Sequence, residues 1–158
     1  MWGAITGAVI GGKMGFKQYR EIPKSKTITP NGINKKLRVK YSEEVYFKNG
    51  EKFRGLFPKF KHIFETKLPK ELLKSSDEIQ FKYALEQLKN NLLNKKSLKS
   101  KFTKQQIDAI FSSIDGRIPE LTWHHHQKEG ILQLVDRAIH MANPHTGGRS
   151  IWGGGQYR

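Results

Sequence analysis

Apolar residues along this chain recur first with the period of strands and then with that of helices. LRVKYSEEVYFKNGEKFRG places β-favouring residues on both sides of Lys48-Asn49-Gly50-Glu51. Asn-Gly between two such runs is a strong signal for a tight loop, so a hairpin is expected at about 38 to 54. The next stretch, LFPKFKHIFETKLPKELL, is rich in aromatics and broken by Pro58 and Pro69. Irregular chain is expected there, packing Phe57, Phe60 and Phe64 onto a core.

Helical periodicity follows. Ser75 and Glu78 have the spacing of a capping box, and Phe81, Leu85, Leu88 and Leu92 recur at helical intervals with lysines on the other faces. They predict an amphipathic helix from about 76 to 93. Thr103 and Gln106 repeat the capping pattern before Ile107, Ile110, Phe111 and Ile114, and Gly116 closes the segment. A second helix is expected at about 104 to 115. No internal repeat is visible.

Between Ile118 and Trp123, β-type residues alternate with polar ones, which places His124, His125 and His126 on a short strand. After Gly130, Ile131, Leu134, Val135, Ala138 and Ile139 sit at helical spacing, with His140 in the last turn. Pro144 disfavours helical backbone at Asn143, so this helix should end near Ala142.

Residues 1 to 34 fit none of these rhythms. The Gly/Ala-rich run from Trp2 to Gly12 is too short to span a bilayer and lacks the basic start of a signal peptide. From Lys17 to Asn34 the chain is polar, with Pro23, Pro30 and an Asn31-Gly32 turn signal. A linker joining this chain to a larger protein is expected over 1–34, with one domain over 35–158.

Charge narrows the partners. A formal charge of +15 and a pI near 10 favour a polyanion, above all nucleic acid, although an anionic membrane or a small acidic protein would also suit. From Pro119 onward four basic residues face three acidic ones, a balance of +1, so the preceding segment carries the remaining +14. Lys95, Lys96, Lys99 and Lys101 form the densest run and are candidate phosphate contacts, or simply a solvated loop. With no cysteine in the chain, disulfides, thiolate metal sites and cysteine nucleophiles are excluded.

Five of the six histidines lie between Ile118 and Gly148, leaving only His62 elsewhere, in an aromatic stretch where a structural role is expected. Successive strand residues point to opposite faces, so one histidine of an adjacent pair can hold a metal while its neighbour faces substrate. His140 and His145 would stand about 140° apart on a continuous helix, and a turn at Pro144 and Gly147-Gly148 is needed to aim both at a metal shared with His124. Three nitrogen ligands with an open position suit Zn²⁺, Ni²⁺ or a related divalent ion. His125 beside them could act as general base. A closed structural zinc site, with His126 as fourth ligand, is the rival reading.

The segment LTWHHHQKEGILQLVDRAIHMANPHTGGRSIW, Leu121 to Trp152, resembles the WHH family of toxin nucleases within the HNH and endonuclease VII superfamily, through Trp-His-His, Gln-Leu-Val, His and His-Thr-Gly-Gly in order. The resemblance implies an α+β fold, with a helical and hairpin N-terminal part and a C-terminal ββα-metal motif at about 118–152. It implies one divalent metal (Zn, Ni, Mg or Mn) on His124, His140 and His145, His125 as general base, and Trp123 packing the hairpin. Arg149 is a candidate phosphate ligand. The final histidines are five apart rather than four as in colicin-type nucleases, and the asparagine that orients the base has no clear counterpart; Gln127, Gln133 or Asn143 could substitute, with Gln133 the leading candidate.

Such domains are C-terminal pieces of polymorphic toxins of bacterial competition. The resemblance therefore implies a delivered effector acting in the cytoplasm of a target cell, and an acidic cognate immunity protein. A monomer without stable membrane insertion is expected. The expected substrate is DNA, bound with weak sequence preference and strong salt dependence. An RNase cutting tRNA, and a non-catalytic nucleic-acid-binding module with structural zinc, are the alternatives.

Overall fold

The computed structural model describes Tyr19, residues 21–26 and residues 34–155. The expected linker over 1–34 thus lies largely outside the described residues. The fold is α+β, as expected, and no helix among the described residues is long and apolar enough to cross a membrane.

The hairpin forms where Asn-Gly predicts it, with strands β1 (Tyr41–Lys48) and β2 (Glu51–Pro58) in register from Lys48 opposite Glu51 to Tyr41 opposite Pro58. Asn49 and Gly50 both have positive φ, 52° and 79°, which is what the twist of a two-residue loop demands. The second arm runs four residues past the expected end. It carries Phe57, which is 1% exposed and meets the Tyr46 ring edge-on with centroids 5.4 Å apart.

The stretch expected to be irregular contains a strand, β3 (His62–Lys67). Pro58 and Pro69 bracket it rather than break it. A register shift between His62 and Phe64 removes the strict alternation by which a strand is recognised. Phe57 and Phe60 are buried as expected, whereas Phe64 is half-buried and His62 is exposed, so His62 has no core role.

Helix α1 (Asp77–Asn94) buries Gln80, Ala84, Leu85, Leu88 and Leu92. Its cap is Ser76, whose hydroxyl accepts the Ile79 N–H at 3.3 Å, and not Ser75, whose own N–H is held by the Leu72 carbonyl in the preceding turn. After a single turn, α2 (Lys96–Lys99), comes α3 (Lys104–Ser112) with the predicted Thr103/Gln106 capping box. It stops about one turn early. Ile114 therefore leaves the face of Ile110 and is 83% exposed, and Phe111 is also exposed.

The largest departure is after Gly130. Residues Ile131–Asp136 form a strand, β5, that pairs on one side with β4 (Leu121–His125) and on the other with β3, giving the antiparallel order β3-β5-β4. Only Arg137–Ala142 is helical (α4), capped by the Asp136 carboxylate on the Ile139 N–H at 2.9 Å. A central strand is covered on both faces, so Ile131 to Val135 are all buried. Without alternation, a buried strand and a buried helix look alike in sequence. A last turn, α5 (Gly148–Ile151), completes the described elements.

The core joins Ala84, Leu85 and Leu88 of α1 and Ile110 of α3 to Trp123, Leu132 and Leu134 of the sheet. Each buried leucine or isoleucine among them contributes about 1.5–3 kcal/mol. This packing fixes α1 against the face of β4 that carries Trp123 and His125.

Candidate active site

The β4 register sets the site. His124 is paired with Gln133 and His125 with Leu132, so the two neighbouring imidazoles leave opposite faces of the sheet. His124 turns toward α4 and the turn after it. His125 turns toward α1.

On the first face, Nδ1 of His124 lies 3.2 Å from Nε2 of His140 and 3.2 Å from Nε2 of His145. The three ligand atoms all fall within 4.8 Å of one another, the spacing at which one metal ion can accept them together. The bend predicted after α4 brings His145 round. Asn143 ends the helix, and its fully buried side chain binds three backbone groups, accepting from the Val39 N–H and donating to the carbonyls of Leu37 and Ile139. The Asn143 carbonyl accepts the Nδ1–H of His145 at 2.8 Å, which leaves Nε2 of that ring with its lone pair toward the other two histidines.

Electrostatics suit a cation. Burial, and then the neighbouring imidazoles of His145 and His140, hold His124 far below the ordinary histidine range. Burial likewise lowers His140 to about 4, with His145 adding to it, and lowers His145 against the opposing hydrogen bond to Asn143. All three rings are neutral at physiological pH and present lone pairs, which is the protonation state a divalent ion needs. Phe60 walls this cluster, with its ring centroid 4.9, 5.2 and 5.4 Å from those of His124, His140 and His145.

His126 is not part of the cluster. It lies just past β4, its Nδ1 accepts the Lys128 N–H at 3.0 Å, and burial is the main cause that lowers its pKa. Three histidines, not four, converge among the described residues.

On the other face, His125 is buried and its Nε2 lies 2.7 Å from Oε1 of Gln80 and 3.8 Å from Oδ1 of Asp77, both on α1. The Phe81 and Trp152 rings flank it at 5.6 and 5.4 Å. The second oxygen of Asp77 accepts the Nε–H of Arg149 at 2.9 Å, which brings the Arg149 side chain to the same place. A cavity of about 370 Å³ is lined by His124, His125, His140, His145, Arg149 and Asp77, among others. Trp123 also borders it while donating its indole N–H to the Gly116 carbonyl at 3.1 Å.

The side chains considered as orienters of His125 bond elsewhere. Gln133 donates to Glu65 at 2.8 Å, Gln127 donates to Glu44, and Asn143 is taken up by backbone. Lys95, Lys96, Lys99 and Lys101 are all exposed, on α2 and its flanks, and are not among the residues lining the cavity.

Sequence reasoning missed Gln80, Asp77 and Phe60 as site residues. Phe60 was legible only as core. Gln80 did leave a signal, because it stands at i, i+4, i+8 with Ala84 and Leu88 on the buried stripe of α1, where an amide needs a reason to be.

Compared with known families, residues 49–147, more than half of the chain, match the DNase/tRNase domain of colicin-like bacteriocins. That span holds all six histidines, Asp77 and Gln80, and stops short of Arg149. No curated protein and no solved structure gives a significant match.

Proposed function

The chain belongs to the family of DNase/tRNase domains of colicin-like bacteriocins, a nuclease toxin family, and from that premise we propose that it is a metal-dependent endonuclease of the WHH type that hydrolyses DNA. The observation that carries this reading is the meeting of His124, His140 and His145 on one face of β4 while the adjacent His125 joins Arg149 at the same cavity.

His124, His140 and His145 would hold one divalent ion. When bound, such an ion polarises a phosphodiester and stabilises the departing oxygen. The chain's own residues supply the rest. His125, held against α1 by Gln80, takes a proton from the attacking water. Arg149 is aimed by Asp77 and donates to the phosphate, where a planar guanidinium gives two parallel hydrogen bonds. Phe60 keeps solvent from the three ligand rings.

Binding rests on charge. The segment before Pro119, which carries most of the excess of +15, grips the phosphate backbone, with Lys95, Lys96, Lys99 and Lys101 among the contacts. On this reading the nuclease domain spans 35–158 with its ββα-metal core at about 118–152, and residues 1–34 join it to a delivering protein. The toxin acts in the cytoplasm of a target bacterial cell as a monomer. An acidic immunity protein neutralises it, since a surface built for phosphates favours an acidic inhibitor.

The test is cleavage of supercoiled plasmid, and in parallel of total RNA, with Mg²⁺, Mn²⁺, Ni²⁺ or Zn²⁺, beside EDTA and His125→Ala controls. Metal-dependent nicking that disappears in His125→Ala is expected. Cleavage of RNA with intact plasmid would move the substrate to RNA, and inertness toward both would leave the histidines as a structural metal site.

A further inference from the structure

Gln80 has an amide whose two ends can be told apart by what surrounds them. One terminal atom lies 2.9 Å from the Leu72 carbonyl oxygen and 2.9 Å from the Leu73 carbonyl oxygen. Both partners only accept, so that atom is the nitrogen and both its hydrogens are committed. The other atom is the carbonyl oxygen, and it lies 2.7 Å from Nε2 of His125. Two acceptors cannot share a hydrogen bond without a proton, so Nε2 must carry it. Asp77, whose Oδ1 is 3.8 Å from the same nitrogen, favours the same arrangement.

We infer that Gln80 is a positioning residue that orients His125 with its hydrogen on Nε2, so that any lone pair the ring offers is on Nδ1. The inference rests on His125 being the general base. It goes further in naming the residue that sets the orientation of that ring. A base with its lone pair on the wrong nitrogen is in place and inert, so the loss on removing Gln80 falls on turnover and leaves metal binding intact.

The burial of Gln80 supports this. At 0% exposed and in the middle of the packed stripe of α1, it satisfies both ends of its amide only in this orientation. A flip would set its NH₂ against His125 and its oxygen against two carbonyl oxygens. The Leu72–Leu73 turn therefore acts on His125 through Gln80, with no direct contact required.

The experiment uses the full chain without metal and records the long-range ¹⁵N–¹H correlation spectrum of the histidine rings at pH 7.5, with His125 identified by its absence in His125→Ala. A pattern with hydrogen on Nε2 is expected in the wild type. Hydrogen on Nδ1 would overturn the inference outright, whether or not any variant folds. Gln80→Met keeps the volume and removes the acceptor, and should give a mixture of tautomers, a kcat about 10- to 100-fold lower and unchanged Zn²⁺ affinity by calorimetry. Unchanged kcat, or a fall in metal affinity equal to the fall in kcat, would sink the positioning role. Wild-type inactivity on both DNA and RNA would remove the catalytic claim together with the functional reading. Wild-type cleavage combined with the wrong tautomer would remove the inference and leave that reading in place.

Discussion

Nε2 of His145 lies 3.2 Å from Nδ1 of His124, although 20 residues and a complete strand-turn-strand-helix path separate them. Neutral imidazoles brought so close need a proton or a cation between their lone pairs. Replacing His124, His140 or His145 with Ala should each reduce divalent-metal affinity by at least the roughly 10- to 100-fold that outer-sphere partners are worth. Calorimetry on the three variants checks this. The same metal should stabilise the wild-type fold, by about 2.7 kcal/mol when its free concentration is 100 times Kd, and should not stabilise the variants.

Acid should undo the metal-free fold in a defined window. His140 has an ordinary pKa of 6.5 that the fold lowers to about 4, and His145 and His124 are lowered as well. The unfolded chain takes up protons on these rings as pH drops through 6.5, while in the folded chain His140 resists until near 4 and the other two are also held below the ordinary range. Proton uptake thus favours unfolding across that interval, and stability rises with pH wherever the unfolded state holds more protons. The thermal midpoint should be level above pH 6.5 and fall between 6.5 and 4. His140→Gln should flatten part of the slope.

Arg149 and Asp77 form an ion pair that is half open to solvent, with the Arg149 side chain 48% exposed. Pairs of that kind contribute about 0–1 kcal/mol to stability. Arg149→Ala should accordingly shift unfolding by less than about 1 kcal/mol and lower the cleavage rate by about 10²-fold, the scale of losing one donor to a developing anion. Equal losses in both measurements would make the residue structural.

Gly148 is where the C-terminal turn closes onto the site. A β-carbon there would overlap the His126 carbonyl oxygen and the Trp152 indole, which are themselves hydrogen-bonded at 2.8 Å. Gly148→Ala should cost about 1–3 kcal/mol, the range for forcing an extra carbon into packed surroundings. Chemical denaturation should show it as a lower midpoint with an unchanged slope.

Binding to duplex DNA should weaken steeply with salt. If the lysine-rich segment neutralises six to ten phosphates, affinity falls by about 10³- to 10⁵-fold between 50 and 200 mM salt. A flat response would remove Lys95, Lys96, Lys99 and Lys101 from the contact surface.

The sequence made the hairpin legible because Asn49-Gly50 is a local signal, and α3 because Thr103 and Gln106 cap it within four residues. It made the three clustered histidines legible through composition and through the bend that Pro144 imposes. It hid β5, because burial on both faces erases alternation, and it hid β3, because a bulge does the same. What Gln80 does at the site was out of reach for another reason, although its place on the buried stripe of α1 was legible. Its partnership with His125 spans 45 residues and exists only once α1 packs on β4, so no local spacing encodes it.

Asn143 fastens the end of α4 to the backbone of Leu37 and Val39, ahead of the first strand. The turn that carries His145 is thus moored to a stretch of chain that contains none of the histidines. A protease that cuts between Val39 and Tyr41 would leave every histidine in place and still loosen His145, so the shortest fragment that keeps a working blade begins at or before Leu37.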